Sequence, residues 1–445
     1  MTWRARRALL GALLLTSGLA GCGRAPHRAV SGILLVVLDT VRADHLGCYG
    51  SSRPTSPNLD RLASEGERYD SAFAQAPWTL PAVASILTGQ PPHVHGAGGR
   101  LGELRAIRRD LPTLAERVSQ AGYATAGFVN VVFLDPGSGL GRGFDRYDLK
   151  RSRFVNKAER NAAETTDAAL AWLQGVKERP YFLFVHYFDA HQTYDPPPPY
   201  DQMFEPDERR ELEPGWGMPA QIFGVRKGTL TLTPRQKESL VARYDGEIRF
   251  VDEQFGRLRH GMEDLGLWPR SLVIVVADHG EEFWDHGSIE HGHTHYRELL
   301  QIPLIVRRPN GLSGAVRKER VRQIDIVPTV LEAAGLPADG DLPGHVLGRG
   351  RSDVSVAEGT LWAGDLASVR SDLATLILDR TDGRRWLFAP EDPLERHDLD
   401  GLRPELESSL ESILRALPPT RTDSQEVWQP SPEQLEQLRS LGYVR

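Results

Sequence analysis

The sequence predicts an α/β chain: a doubly wound sheet flanked by helices, followed by a small antiparallel subdomain. Three observations carry this. Residues 32–38, 181–185 and 271–277 are apolar at nearly every position, and a run apolar on both faces reads as a central parallel strand. Helical segments alternate with those runs, as a sheet covered on both sides requires. After about Gly340 the pattern changes to short strands and then two helices.

The chain opens with a segment that is not part of the fold. Arg4, Arg6 and Arg7 precede an apolar stretch at 8–15, and Leu19-Ala20-Gly21-Cys22 has the form of a bacterial lipoprotein cleavage box. Residues 1–21 are therefore expected to be a signal peptide, Cys22 to carry the lipid, and 22–31 to be a tether. The apolar stretch is too short to span a bilayer, and no later segment is apolar enough to do so. The expected location is the bacterial cell envelope, lipid-anchored and extracytoplasmic. With Cys22 lipidated, Cys48 has no partner for a disulfide.

Two units follow, a catalytic domain at 32–340 and a C-terminal subdomain at 341–445. The first strand ends in Asp39. Ser56-Pro57 starts a helix through Glu65. Pro81 suits the first position of a short helix at 82–87 stopped by Gly89, which leaves Thr79 just before a helix N-terminus. A helix at 111–120, a strand at 123–129 and a helix at 156–176 lead to the strand at 181–185. Residues 196–228, rich in Pro, Glu and Gly, read as a surface insertion. Thr233-Pro234-Arg235-Gln236 is a capping box opening a helical region to about Leu265. The strand at 271–277 ends at Asp278-His279. A strand at 302–306 and a helix at 325–334 complete the domain. Strands at 354–357, 373–378 and 385–388, then helices at 404–417 and 432–441, make up the rest.

With 53 basic and 60 acidic residues the net charge is −7, so there is no basic footprint for nucleic acid. The chemistry concentrates at strand ends, where open α/β sheets place ligands. Asp39, Asp278 and His279 are types that are costly to bury unless paired or metal-bound. Thr79 at a helix N-terminus could be an N-cap or a nucleophile placed beside an anion site. Two histidine groups lie beyond strands: His186 and His191, then His286, His291, His293 and His295.

These stretches together resemble the sulfatases of the alkaline phosphatase superfamily. The matching motifs are Val36-Val37-Leu38-Asp39-Thr40-Val41-Arg42 and its continuation to Gly50, residues 55–66, residues 79–96, Asp278-His279-Gly280-Glu281, Gln301-Ile302-Pro303-Leu304-Ile305, residues 324–331 and residues 438–443. The resemblance implies an alkaline-phosphatase-like mixed sheet and a metal-dependent hydrolase of sulfate or phosphate esters.

The departures from that family bear on mechanism. Where its members carry Cys or Ser, a variable residue, Pro, Ser and Arg, this chain reads Thr79-Leu80-Pro81-Ala82-Val83. Threonine cannot yield formylglycine, so none is expected. Thr40 replaces the second acid of the usual pair, and no Lys lies between Lys237 and Lys318. A Thr nucleophile with Asp, Asp and His ligands is similar to the phosphoethanolamine transferases of the same superfamily.

The expected machinery follows. Asp39, Asp278, His279 and Thr79 hold a divalent metal, Zn²⁺ or Mn²⁺ before Ca²⁺ or Mg²⁺, since an imidazole and fewer oxygens suit the former. Thr79 attacks. His186, His191, His291 or His293 protonates the leaving oxygen. Arg42 either contacts the ester anion or forms a structural ion pair. Because a Thr79 ester must be released by attack at the central atom, phosphate mono- or diesters are favoured over sulfate esters. Substrates are expected among small molecules, glycans or lipid headgroups. The alternatives are a phosphoethanolamine-type transferase and an inactive binding lipoprotein on the same scaffold.

Overall fold

The computed structural model describes residues 30–435 except 101–102, 151–159, 206–211, 214, 310, 312–313, 339, 363, 421–429 and 433. The expected signal peptide and most of the 432–441 helix lie outside the described residues.

The strands are β1 (Gly32–Leu38), β2 (Glu67–Phe73), β3 (Ala124–Val129), β4 (Arg146–Leu149), β5 (Tyr181–Tyr187), β6 (Ser271–Ala277), the short pair β7 (Glu282–Phe283) and β8 (Ile289–Glu290), β9 (Leu304–Arg307) and β10 (Ala315–Arg322). Eight of them form one mixed sheet in the order β10-β2-β9-β6-β1-β5-β3-β4. β1, β5 and β6 are fully buried along their length, as their continuous apolar runs demand. β9 alone runs against its neighbours β6 and β2.

Sequence reasoning missed β2, β4 and β10. β4 and β10 are the two edges, and their charged faces, Arg-Tyr-Asp-Leu and Ala-Val-Arg-Lys-Glu-Arg-Val-Arg, hide the strand signal. Charge on an edge strand blocks pairing with another chain, so the pattern that conceals it from sequence reading also protects it.

The helices are α1 (Pro57–Glu65), α2 (Thr79–Thr88), α3 (Pro92–His95), α4 (Leu114–Gln120), α5 (Ala162–Val176), α6 (Pro219–Arg226), α7 (Pro234–Asp264), α8 (Arg297–Leu300), α9 (Ile326–Ala333) and α10 (Pro404–Arg415). The capping box at Thr233 forms as its sequence dictates, with Gln236 N donating to Thr233 Oγ1 and Thr233 N to Gln236 Oε1. Asn161 and Glu164 form another, so α5 begins at Ala162, later than the expected start at 156. α2 begins at Thr79, two residues earlier than the Pro81 start the sequence suggested, because Pro81 is tolerated anywhere in the first turn. Gly89 closes it in the left-handed conformation, φ 70°.

The C-terminal subdomain has four strands rather than three: β11 (Ser355–Glu358), β12 (Leu366–Arg370), β13 (Thr375–Asp379) and β14 (Arg385–Phe388), antiparallel in chain order. α10 packs on this sheet over a small separate core that includes Val369, Leu376, Leu387 and Leu410.

Register explains where the site forms. Leu38 of β1 is level with Tyr187 of β5 and with Ala277 of β6. The residues next in sequence, Asp39 and Asp278, therefore emerge side by side at one end of the sheet, with His186 near the end of β5 on the other side of β1.

Candidate active site

Asp39, His186 and Asp278 each present a ligand atom within 4.8 Å of the others, and all three are fully buried. Both oxygens of Asp39, both ring nitrogens of His186 and Oδ2 of Asp278 lack a hydrogen-bond partner. Five buried polar atoms cannot stay unsatisfied without a large cost, so this donor set calls for a cation.

The spacings fit one. His186 Nε2 lies 3.1 Å from Asp39 Oδ2, His279 Nε2 lies 3.4 Å from Asp278 Oδ2, and Thr79 Oγ1 lies 3.4 Å from His279 Nε2. Ligands sharing one ion through ~2.1 Å bonds sit roughly 3.0–3.4 Å apart.

Local structure fixes each group. The Asp278 carboxylate accepts from Thr40 N at 3.1 Å and from His279 N at 2.8 Å through Oδ1, which turns Oδ2 toward the cluster. His279 Nδ1 donates to Gly280 O at 2.9 Å, so Nε2 carries the lone pair facing Thr79. Only glycine fits at 280, because a Cβ there would lie 1.9 Å from Glu298 O. Thr79, 1% exposed, is the first residue of α2, where unpaired N–H groups favour an anion.

A histidine layer adjoins the cluster. His291 is 4.5 Å from His279 and 5.0 Å from His191, centroid to centroid, and His191 stacks on Phe188 at 4.5 Å. His191 Nδ1 donates to Gln192 O at 2.8 Å. His291 Nδ1 meets Glu281 Oε1 at 3.0 Å, and Tyr194 OH donates to Glu281 Oε2 at 2.9 Å. Burial pushes the Glu281 carboxyl up to about 7. Burial, with His279 and His191 nearby, holds the His291 imidazole well below its ordinary value. Burial opposes the Asp39 charge, but His186, His191 and His279 outweigh it and keep the carboxyl low. Burial and then Asp39 raise Asp278 to about 6.

Other expected site residues lie differently. His186, expected among the proton donors, is placed with the acids instead. His293 is held by Glu282, Nε2 to Oε2 at 2.8 Å. The five N–H groups of Arg42 go to Asp44, Asp285 and the carbonyl of Glu281, at 2.7 to 3.1 Å, which favours the structural ion pair over contact with an ester. Its guanidinium is fully used as a structural clamp. His286 and His295 are likewise tied into Glu298 and Ser368. Glu281 was given no role by sequence reasoning. Its only signal was an acid two positions after a candidate ligand.

Comparison with known proteins follows the geometry. The sulfatase family profile matches residues 31–336. An arylsulfatase of Clostridium perfringens is 24% identical over 392 residues, covering 74% of this chain and 79% of its own. A multifunctional alkaline phosphatase superfamily protein of Trinickia caryophylli is 26% identical over 381 residues, 68% of this chain and 73% of its own. In fold, the chain is similar to a phosphonate monoester hydrolase from Silicibacter pomeroyi, with a TM-score of 0.70 at 22% identity over 86% of this chain and 94% of that one.

Proposed function

The chain belongs to the sulfatase family, a family of ester hydrolases, and from that premise we propose that it hydrolyses phosphate or phosphonate esters through a covalent Thr79 intermediate. The observation that carries this reading is a threonine hydroxyl at a helix N-terminus, 3.4 Å from His279 Nε2 and beside a cluster of orphaned ligand atoms. Position 79 offers no precursor for formylglycine.

Asp39, His186, Asp278 and His279 would hold the metal. Their mixed oxygen and nitrogen donors suit Zn²⁺ or Mn²⁺ over Ca²⁺. A divalent ion there supplies Lewis acidity and makes a nearby hydroxyl easier to ionise.

The chain's own groups do the rest. The Thr79 hydroxyl gives its proton to solvent, and Oγ forms a bond to phosphorus as the bond to the leaving oxygen breaks in line. The amide N–H groups opening α2 face the non-bridging oxygens. The leaving oxygen takes a proton from His291 while His291 Nδ1 takes one from the Glu281 carboxyl, which burial pushes up to about 7; Tyr194 holds Glu281, and His191 packs against His291. Water then attacks phosphorus, the Thr79 Oγ–P bond breaks with Oγ taking back a proton from solvent, and the water's proton returns through His291 to Glu281. This second step favours phosphorus, where displacement at the central atom is facile. Buried imidazoles and a donor-rich helix end have no structural need to converge, which speaks against an inactive scaffold. The lipoprotein box at Cys22 supports a lipid-anchored place in the cell envelope.

The test is hydrolysis of nitrophenyl phosphate, a phosphodiester, a phosphonate ester and a sulfate ester with each metal, together with mass spectrometry of acid-quenched Thr79 peptide. A phosphorylated Thr79 and loss of turnover in Thr79→Ala support the reading. Turnover surviving in Thr79→Ala overturns it. Ester products formed with added acceptor alcohols would make the enzyme a transferase.

A further inference from the structure

The peptide group between Asp278 and His279 joins two of the residues that would hold the metal. A peptide is planar, so fixing its two ends fixes the directions in which both side chains leave it. Its N–H is held from within, donating to Asp278 Oδ1 at 2.8 Å. Its carbonyl is held from outside. Gln323 Nε2 donates to Asp278 O at 2.6 Å and to Ala277 O at 3.0 Å.

Gln323, 1% exposed, lies in the turn that follows β10 and leads into α9. Its amide has one possible orientation. The atom facing the backbone N–H of Gln75, at 3.1 Å, must be Oε1, because that N–H can only donate. The nitrogen therefore faces the two carbonyls, and both of its hydrogens are committed there. Neither a carboxylate nor an apolar side chain could make these bonds.

Gln75 gives the contact its meaning. It lies between β2 and α2, on the loop that delivers Thr79. It is buried as well, and is fastened on its other side: its Oε1 accepts from Ile324 N at 3.4 Å, and its carbonyl accepts from Glu358 N of β11 at 2.9 Å. The Gln323 side chain thus bridges the peptide of the ligands and the loop of the nucleophile. Across the site the same two parts approach to 3.4 Å, at His279 Nε2 and Thr79 Oγ1. Asp39 and His186 belong to β1 and β5, so a turn of the 278–279 peptide would move Asp278 and His279 relative to them and to Thr79.

We infer that Gln323 is a positioning residue of the active site: its amide sets the Asp278–His279 peptide against the Thr79 loop, so that metal ligands and nucleophile share one frame. Its place is behind the ligands, not among them. The kinetic part of this inference rests on the Thr79 hydrolase reading, and the metal part does not.

The experiment uses Gln323→Met in the full chain, a side chain of similar length that makes none of the three bonds. Thr329→Val is the comparison. Thr329 is buried in α9, and its hydroxyl donates to Asp325 O at 2.6 Å and accepts from Leu347 N at 2.9 Å, so this variant also loses two buried bonds, but neither partner belongs to the site. Calorimetric titration of the metal-free chain with Zn²⁺ or Mn²⁺ should give a Kd about tenfold weaker or more in Gln323→Met, the usual effect of removing a group that orients a ligand, and an unchanged Kd in Thr329→Val. At saturating metal, kcat for nitrophenyl phosphate should fall about tenfold in Gln323→Met with KM within about twofold, while Thr329→Val turns over as the wild type does. Melting curves in chelator confirm that both variants are folded. An unchanged Kd or kcat in Gln323→Met, or an equal loss in Thr329→Val, overturns the inference, because a merely structural glutamine would lower Tm alone. If Gln323→Met does not fold, Gln323→Asn, one methylene too short to reach both carbonyls, is read in its place. If the wild type turns over no ester, the hydrolase reading fails and the metal titration decides alone: a Kd weakened in Gln323→Met but not in Thr329→Val upholds the inference, and a wild type that binds neither ion overturns it.

Discussion

Asp278→Asn should raise the stability of the metal-free protein while abolishing its response to metal, the opposite of what removing a buried polar group usually does. Oδ1 of Asp278 accepts from Thr40 N and His279 N, and an asparagine oxygen keeps both bonds. The substitution changes only Oδ2, which has no hydrogen-bond partner and shares a space within 4.8 Å with Asp39 and His186. Burial and Asp39 raise the Asp278 pKa from 3.8 to about 6, which at ~1.36 kcal/mol per unit makes the ionised form cost about 3 kcal/mol near neutrality. With an unfolding entropy of ~2.1 cal/mol/K per residue over roughly 400 residues, that corresponds to about 3–4 °C in Tm. Metal at about one hundred times its Kd should stabilise the wild type by about 2.7 kcal/mol, about 3 °C more. Scanning calorimetry at pH 7.5, first with chelator and then with Zn²⁺ or Mn²⁺, reads both effects. A chelated variant that melts below the chelated wild type, or one still stabilised by metal, would refute the assignment of Asp278 to a charge-frustrated cation site.

Three further outcomes follow from particular contacts. Arg42→Lys cannot reproduce five guanidinium bonds, so it should cost about 2 kcal/mol, discounted because Asp44 is largely exposed; KM for nitrophenyl phosphate should not move in enzyme kinetics, and a raised KM would restore Arg42 to the ester. Burial lowers His95 and His295 to about 3, below the ~6.5 of an unfolded chain, so only the unfolded state gains these protons as pH falls. Stability from these two is therefore complete above about 6.5 and shrinks below it, by about 2 kcal/mol each at pH 5. Urea midpoints at pH 7.5 and 5 test this, and His95→Gln, which cannot charge, should drop less between the two; an equal drop would count against it. Cys22→Ala should release the protein from the membrane fraction of its native host, by blotting of fractionated cells, and unchanged membrane association would remove the lipoprotein assignment.

The central strands were legible because burial on both faces leaves a continuous apolar run, as in Ile33 to Leu38. Strand ends then pointed to Asp39 and Asp278, since parallel strands of equal register bring the residues after them together. What stayed hidden depends on side-chain direction. Histidines 186, 291 and 293 look alike in sequence. Their places were set by side-chain partners, Asp39 at the end of another strand for His186, and Glu281 for His291 and Glu282 for His293 within one loop region, and a choice among neighbouring acids is not written in the spacing. Arg42 was equally unreadable, because Asp285, 243 residues away, decides whether its donors remain free. The edge strands failed for the opposite reason, with surface charge masking alternation.

Thr40 brings these threads together. In sequence it is a loss, a hydroxyl where the family places an acid. In the structure it adopts φ 57°, a region a β-branched residue enters only at a cost of about 1–3 kcal/mol. In return its N–H holds Asp278 Oδ1 and its hydroxyl donates to Ala190 O at 3.0 Å. Tyr244 of α7 donates to its carbonyl at 2.7 Å. Thr40 thus ties together the ends of β1, β5 and β6 and the long helix. An acid at 40 would put a third carboxylate beside two that already repel, and would draw in a harder, more highly coordinated cation. A threonine leaves two negative charges, which one divalent ion neutralises, and spends its polar atoms on position. That balance leaves the α2 N-terminus as the main attraction for an incoming anion, because Arg42 is already bound.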